Sequence, residues 1–253
     1  DNIGYSGIFS DGNTLVEKNF VSHFLYTLND GGGVYWDNGV GVTVQDNIVV
    51  DPIGNMESIA MDHQTNVTVR VGIYFGNAII TNATVRRNTA ANCDLGLWVD
   101  HTMVSHGHQI RDNVMFNNKD AQMGFSDFSN YNGPGAAYPF ALPGYDDIYT
   151  NNTCYAMSNT QMCILAVNRW YNGVDFGTFA NNKYHNPWNG NSFMIQKFVP
   201  SYDITYHGLA SWLSIQGDET GSSNSPLSLT YPDGVDDHIL VYNDSLSTQV
   251  KPL

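Results

Sequence analysis

Carboxylates return in this chain at the end of one short pattern. Gly7-Ile8-Phe9-Ser10-Asp11, Gly33-Val34-Tyr35-Trp36-Asp37 and Gly96-Leu97-Trp98-Val99-Asp100 each run from a glycine, through an aromatic at the third place, to an aspartate. Gly72-Ile73-Tyr74-Phe75-Gly76 keeps the pattern without the acid, and Ser58-Ile59-Ala60-Met61-Asp62-His63 keeps the acid without the glycine. Read as strands, these segments alternate their faces. Val34, Trp36, Leu97 and Val99 then point inward, while Phe9, Tyr35, Tyr74 and Trp98 point outward with Asp11, Asp37, Asp62 and Asp100. Stacked copies would build two exterior rows, one aromatic and one acidic. Leu165, Val167 and Asn168 extend the second row, followed by Arg169.

Such a surface suits a sugar. The C–H face of the ring packs on an aromatic, and the acids bind hydroxyls or protonate the glycosidic oxygen. Carboxylates on adjacent repeats would stand about 5 Å apart, and those two repeats apart about 10 Å, near the retaining and inverting separations of glycosidases. Asp37 and Asp100 are the first catalytic candidates and Asp62 the next, with His101 or His63 assisting proton transfer. His106 and His108 lie close by in the chain. Two plainer roles compete: aspartate caps turns, and exposed aromatics can pack beneath a loop. No histidine pair has a zinc spacing. Calcium, held by several aspartates and backbone carbonyls, is the cation these residues would suit.

These side chains need a scaffold that repeats. The aromatic pattern is followed by a short strand ending in asparagine, at Asn19, Asn47, Asn88, Asn113, Asn152 and Asn182, with a period of about twenty-five residues. Each repeat reads as two short strands with polar turns, which points to an all-β, single-stranded parallel β-helix, a solenoid. Its strands would stack at about 4.8 Å, so asparagines at one turn could hydrogen-bond along the stack as a ladder. Residues 1–200 are expected to form the solenoid, with upstream coils missing or carried by another chain, and residues 201–253 the terminal coils, a loop and a tail. Whether the Ser58 or the Gly72 copy holds the register is open. The Pro- and Gly-rich stretch 131–147 reads as a long loop over the surface.

Composition narrows the partners. Ten Lys plus Arg against a net charge of −14 argue against nucleic acid, and no apolar run approaches a membrane span. Helix periodicity is poor. Of three cysteines, Cys154 and Cys163 could pair, leaving Cys93 over. Sequons at Asn66, Asn82, Asn151 and Asn243 would matter in a glycosylating host, and an extracellular, secreted setting is expected.

Asp30-Gly31-Gly32-Gly33-Val34-Tyr35 resembles the Asp-Gly-Gly-small-aliphatic-Tyr stretch of right-handed parallel β-helix proteins of the pectate-lyase-like superfamily. Trp212-x-x-x-Gln216-Gly217-Asp218 is similar to a Trp-x-x-x-x-Gly-x-Asp stretch near the end of the solenoid in some of these enzymes, with a shorter spacing here. The resemblance implies the fold and a secreted glycoside hydrolase or polysaccharide lyase. Tyr35, Trp98, Tyr74, Arg169 and Asp30 are then the substrate-binding candidates. Where glycosidase-like members carry an Asp-Glu pair, this chain reads Asp62-His63, and Ser105-His106-Gly107-His108 only loosely echoes the Gly-His-Gly of polygalacturonases. A lyase or epimerase is the second expectation, favoured by an acidic sugar and a bridging cation. A non-catalytic fibre, adhesin or glycan-binding subunit, able to stack end to end, is the third.

Overall fold

Each repeat carries three strands rather than two, mostly of three to seven residues. The computed structural model describes residues 3–54, 69–76, 80–102, 105–129, 146–169, 176–198, 200–217 and 220–224. The strands of successive repeats lie in three sheets of eight, six and six strands, with a small fourth sheet of two. The first sheet runs Ile8–Ser10, Gly31–Trp36, Arg70–Phe75, Leu95–Thr102, Ala121–Ser129, Met162–Asn168 and Phe193–Lys197, all parallel, and ends on the antiparallel Asp203–His207. Each strand of the second sheet, such as Thr84–Arg86, is followed by one of the third, such as Thr89–Ala91. The result is an all-β molecule of stacked parallel sheets, a layout compatible with a solenoid.

The corner between second and third sheets explains the recurrent asparagine. One residue there turns left-handed: Lys18, Asp46, Arg87, Asp112, Asn151 and Asn181 have φ between 53° and 59°. That conformation costs roughly 1–2 kcal/mol for a residue with a Cβ. The asparagine that follows it holds the corner. The side-chain amide of Asn19 donates to Asn47 at 3.0 Å, and so on through Asn88, Asn113, Asn152 and Asn182 at 2.9 to 3.1 Å. Each interior rung also caps a backbone carbonyl, as Asn88 does Val44 O at 2.9 Å. The six asparagines of the sequence pattern are therefore one continuous ladder.

The recurrent glycine has a separate cause. At Gly7, Gly33, Gly72 and Gly96 a Cβ would stand 2.5–3.1 Å from the backbone oxygen of the next strand, and against core side chains such as Val49 and Ala90. The chain is too close to its neighbour there for any side chain. The next position along this column is Gln122, whose Oε1 accepts from the Asn118 amide at 3.0 Å.

Between the sheets lies one apolar core. Val34, Trp36, Ile73, Phe75, Leu97, Val99, Met123 and Phe125 fill it from the first sheet, as the alternation predicts. Helix Leu209–Gln216, which the periodicity does not reveal, sets Trp212 into the same core, 5.3 Å from the ring of Phe193. Cys154 and Cys163 form no disulfide: both are buried thiols, with Cys163 Sγ 3.9 Å from Cys154 O. The Gly72 copy holds the register, since Ile73 pairs with Val34 on one side and Leu97 on the other. The Ser58 copy and nearly all of the 131–147 loop lie outside the described residues. Among the described residues no helix is long and apolar enough to cross a membrane.

Candidate functional site

Both exterior rows exist on the outer face of the first sheet. Register aligns Phe9, Tyr35, Tyr74 and Trp98 across four neighbouring strands. The same line continues through Gly124, Leu165, Met194 and Tyr206. Phe9 and Tyr35 rings lie 5.4 Å apart and Tyr35 and Tyr74 rings 5.1 Å. The row is graded: Phe9 is 57% exposed, Tyr35 and Tyr74 are half-buried, and Trp98 is 8% exposed. Trp98 is therefore no open platform. Its indole lies over Gly124, where a Cβ would come within 2.4 Å of the ring, and it packs with Val71, Ala121, Met162 and Leu165.

The acidic row runs beside it. Trp36 pairs with Phe75 and Phe75 with Val99, so Asp37, Gly76 and Asp100 occupy successive places in one column. Ser126, Val167 and Gln196 continue that column. Leu165 thus belongs to the aromatic row and only Val167 to the acidic one, while Asn168 is wholly buried. Asp37 and Asp100 stand two strand spacings apart, about 10 Å. Gly76 leaves the place between them without a side chain. A Cβ there would lie 2.7 Å from Tyr35 Oη and 2.8 Å from Asp37 Cβ.

Asp100 is the unusual group. It is 3% exposed, yet among the described residues no cation stands at salt-bridge distance from it. Three neutral donors face its oxygens: Ser126 Oγ at 2.5 Å, Tyr74 Oη at 3.1 Å and the indole N–H of Trp98. Burial pushes its carboxyl up to about 6, against the pull of those donors and of the Arg169 charge. Burial, then the Asp100 charge, holds the Tyr74 phenol well above its ordinary value. Burial and the nearby Asp37 do the same for Tyr35. Asp30 lies at the edge of this group, its backbone oxygen accepting from Tyr5 Oη at 2.7 Å. The backbone N–H of Arg169 donates to Asp127, and its guanidinium lies 5.4 Å over the ring of Phe198.

Other candidates fall elsewhere. His106 lies 3.2 Å from the Asp146 carboxylate. His108 is fully buried: its Nδ1 accepts from Ala83 N–H at 3.3 Å, and its ring stands 5.1 Å from Phe75. Neither joins the acidic row. His101 continues the strand of Asp100, but its side chain, like Asp62 and His63, lies outside the described residues. No group of three or more His, Cys, Asp or Glu that could hold a metal ion occurs among the described residues.

The glycine-aromatic-aspartate pattern does not mark Ser126 or Gly124. Gln122-Met123-Gly124-Phe125-Ser126 is a further copy in which glutamine, glycine and serine stand at the glycine, aromatic and acid places. Its alternation of apolar residues after Asn118 is the signal that would find it. Comparison with known proteins gives no match to a family model, to a curated protein or to a solved structure.

Proposed function

We propose that the three sheets are the faces of a right-handed parallel β-helix of the pectate-lyase-like kind, and that the protein is a secreted glycoside hydrolase acting on an oligo- or polysaccharide. One observation carries this reading: the column Asp37–Gly76–Asp100, in which a carboxyl raised to about 6 stands two strand spacings from a half-buried aspartate, with Gly76 and the Tyr35 hydroxyl between them. In this reading Asp100 is the acid that protonates the leaving oxygen. Asp37 is the base that activates water on the opposite face of the sugar. The separation of about 10 Å lies at the upper edge of the inverting geometry. A raised carboxyl keeps part of its proton near neutral pH, as a general acid must. Phe9 and Tyr35 offer ring faces to a sugar beside these acids. Because Asp100 is buried, substrate must displace the Tyr74 hydroxyl from Oδ2.

A second reading is a non-catalytic glycan-binding subunit, adhesin or fibre. The same burial favours it, since all donors around Asp100 are already satisfied within the fold, while Phe9 remains 57% exposed. Digestion of a glycan panel by the chain, with Asp37→Asn and Asp100→Asn beside it, separates the two. Products with inverted anomeric configuration, lost in both variants, support hydrolysis. Glycan binding without products, weakened by Tyr35→Ala, supports the second reading. Products untouched by either Asn substitution would refute the assigned pair.

A further inference from the structure

A different part of the molecule carries an arrangement that the acidic row does not use. The corner after four of the six third-sheet strands also turns left-handed, with φ of 53° at His23, 54° at Asp51, 58° at Asn92 and 52° at Asn117. The side chains of the last three form a second ladder, this one partly open to solvent. The Asn92 amide donates to Asp51 Oδ1 at 2.7 Å, Asn117 donates to Asn92 at 2.9 Å, and Gln161 donates to Asn117 at 2.9 Å. Beside the ladder is an open cavity of about 520 Å³, in the size range of small-molecule sites, whose walls also include Arg70, Lys119, Ser158 and Thr160.

The chemistry of the walls selects the ligand class. Arg70 is locked to Asp94 through contacts of 2.6 and 2.9 Å, and the Lys119 ammonium stands 3.8 Å from the same carboxylate. With Asp51, and with Asp120 at 4.0 Å from Lys119, the two cations meet three anions, so an anion gains no net attraction. Cys93, the apolar exception in the lining, stays a neutral thiol because burial pushes it up. What is left is hydrogen-bonding capacity. Asn92 and Asn117 each spend one N–H and one side of their oxygen on the stack, and Gln161 spends one N–H there and its oxygen on the Met157 N–H, so each amide keeps a donor and an acceptor side by side. These pairs repeat at about 4.8 Å. Those of Asn92 and Asn117 are held by left-handed corners that lose little freedom on binding. The outer face of the third sheet next to this corner carries a short aromatic stack. Phe116 and Tyr155 rings lie 5.6 Å apart, and Tyr155 lies 4.5 Å from the ring of His185, whose buried Nδ1 has no hydrogen-bond partner among the described residues. A donor–acceptor pair repeated along a stack, beside ring faces and with no net attraction for an anion, matches neutral vicinal hydroxyls.

We infer that the Asp51–Asn92–Asn117–Gln161 cavity is a second, non-catalytic site that binds a neutral saccharide, separate from the Asp37–Asp100 column. The test follows the side-chain amide resonances of Asn92, Asn117 and Gln161 by ¹⁵N NMR. The titrants are neutral gluco-, manno- and galacto-hexasaccharides, with inorganic phosphate and spermidine as charged controls. At least one hexasaccharide should shift these amides. Asn117→Gly keeps the left-handed corner and removes a rung; it should weaken binding about tenfold, the effect of one or two lost hydrogen bonds. Thr160→Val, at an exposed position outside the ladder, checks the same loss without touching the stack and should weaken binding a few-fold. Asp100→Asn should leave this binding unchanged, so failure here and failure of the hydrolase reading are distinguishable. The inference falls if no hexasaccharide shifts these amides or phosphate alone does. It also falls if binding survives both Asn117→Gly and Thr160→Val.

Discussion

Asp100 should make the protein less stable as the solution becomes less acidic. In the unfolded chain its carboxyl titrates near its ordinary value of 3.8, whereas in the fold burial raises it to about 6. Between these values the folded state binds more protons than the unfolded state. Stability contributed by this group is therefore full below about pH 4, falls as pH rises to about 6, and stays lost above that. Two units at 1.36 kcal/mol each amount to about 3 kcal/mol. Asp100→Asn removes the titration and keeps the shape. Asparagine Oδ1 can still accept from Ser126 and Trp98, and its Nδ2 can donate to Tyr74 Oη, which was donating to the carboxylate. Urea unfolding of both proteins at pH 3.5, 5 and 7.5, followed by far-UV circular dichroism, isolates the effect, because the other carboxylates cancel in the difference. The variant should match the wild type at pH 3.5 and exceed it by up to about 3 kcal/mol at pH 7.5, or roughly 6–12 °C in Tm for a chain of this size. A gain of stability on removing a buried acid is the signature of a group kept for function rather than for the fold. A difference that does not change with pH, or an Asn variant less stable at pH 7.5, would refute the reasoning.

Further outcomes can be checked in the same unfolding assay. Asn88→Ala should lower stability by about 3 kcal/mol, because it leaves the Asn47 N–H and Val44 O without the partners they have in the ladder. Gly124→Ala should drive the Trp98 indole off the sheet, lowering stability by about 1–3 kcal/mol and shifting tryptophan emission to the red; unchanged emission would mean the ring has another place to pack. Thiol titration should find three reactive cysteines only after unfolding, since Cys93, Cys154 and Cys163 are all buried and burial raises Cys163 to about 12. A protein that yields only one thiol when unfolded without reductant would contradict the absence of a disulfide.

What the chain states locally and repeats, it states legibly. Asn19, Asn47, Asn88, Asn113, Asn152 and Asn182 could be picked out because each sits at a strand end and their value comes only from recurrence. The inward and outward faces of Gly33–Asp37 and Gly96–Asp100 followed from a period of two, which any strand must obey. The places that depend on a neighbouring strand were not legible in this way. The repeat has three strands because two separate left-handed corners break it, and residues as different as Lys18 and Asn181 occupy the first of them. The Gly72 copy took the register through pairing with strands on both sides. Trp98 is covered because Gly124, some twenty-six residues later, offers no side chain to keep it out. Asp100 is acidic by type, but its carboxyl is raised by burial among neighbouring strands, against the pull of the hydrogen bonds from Tyr74 and Ser126 on the two flanking strands. Recurrence along the chain determined the ladder and the two rows. Which members of those rows are open, covered or ready to hold a proton was decided by contacts across the stack, because solvent exposure and local electrostatics belong to neighbours in space and not to neighbours in sequence.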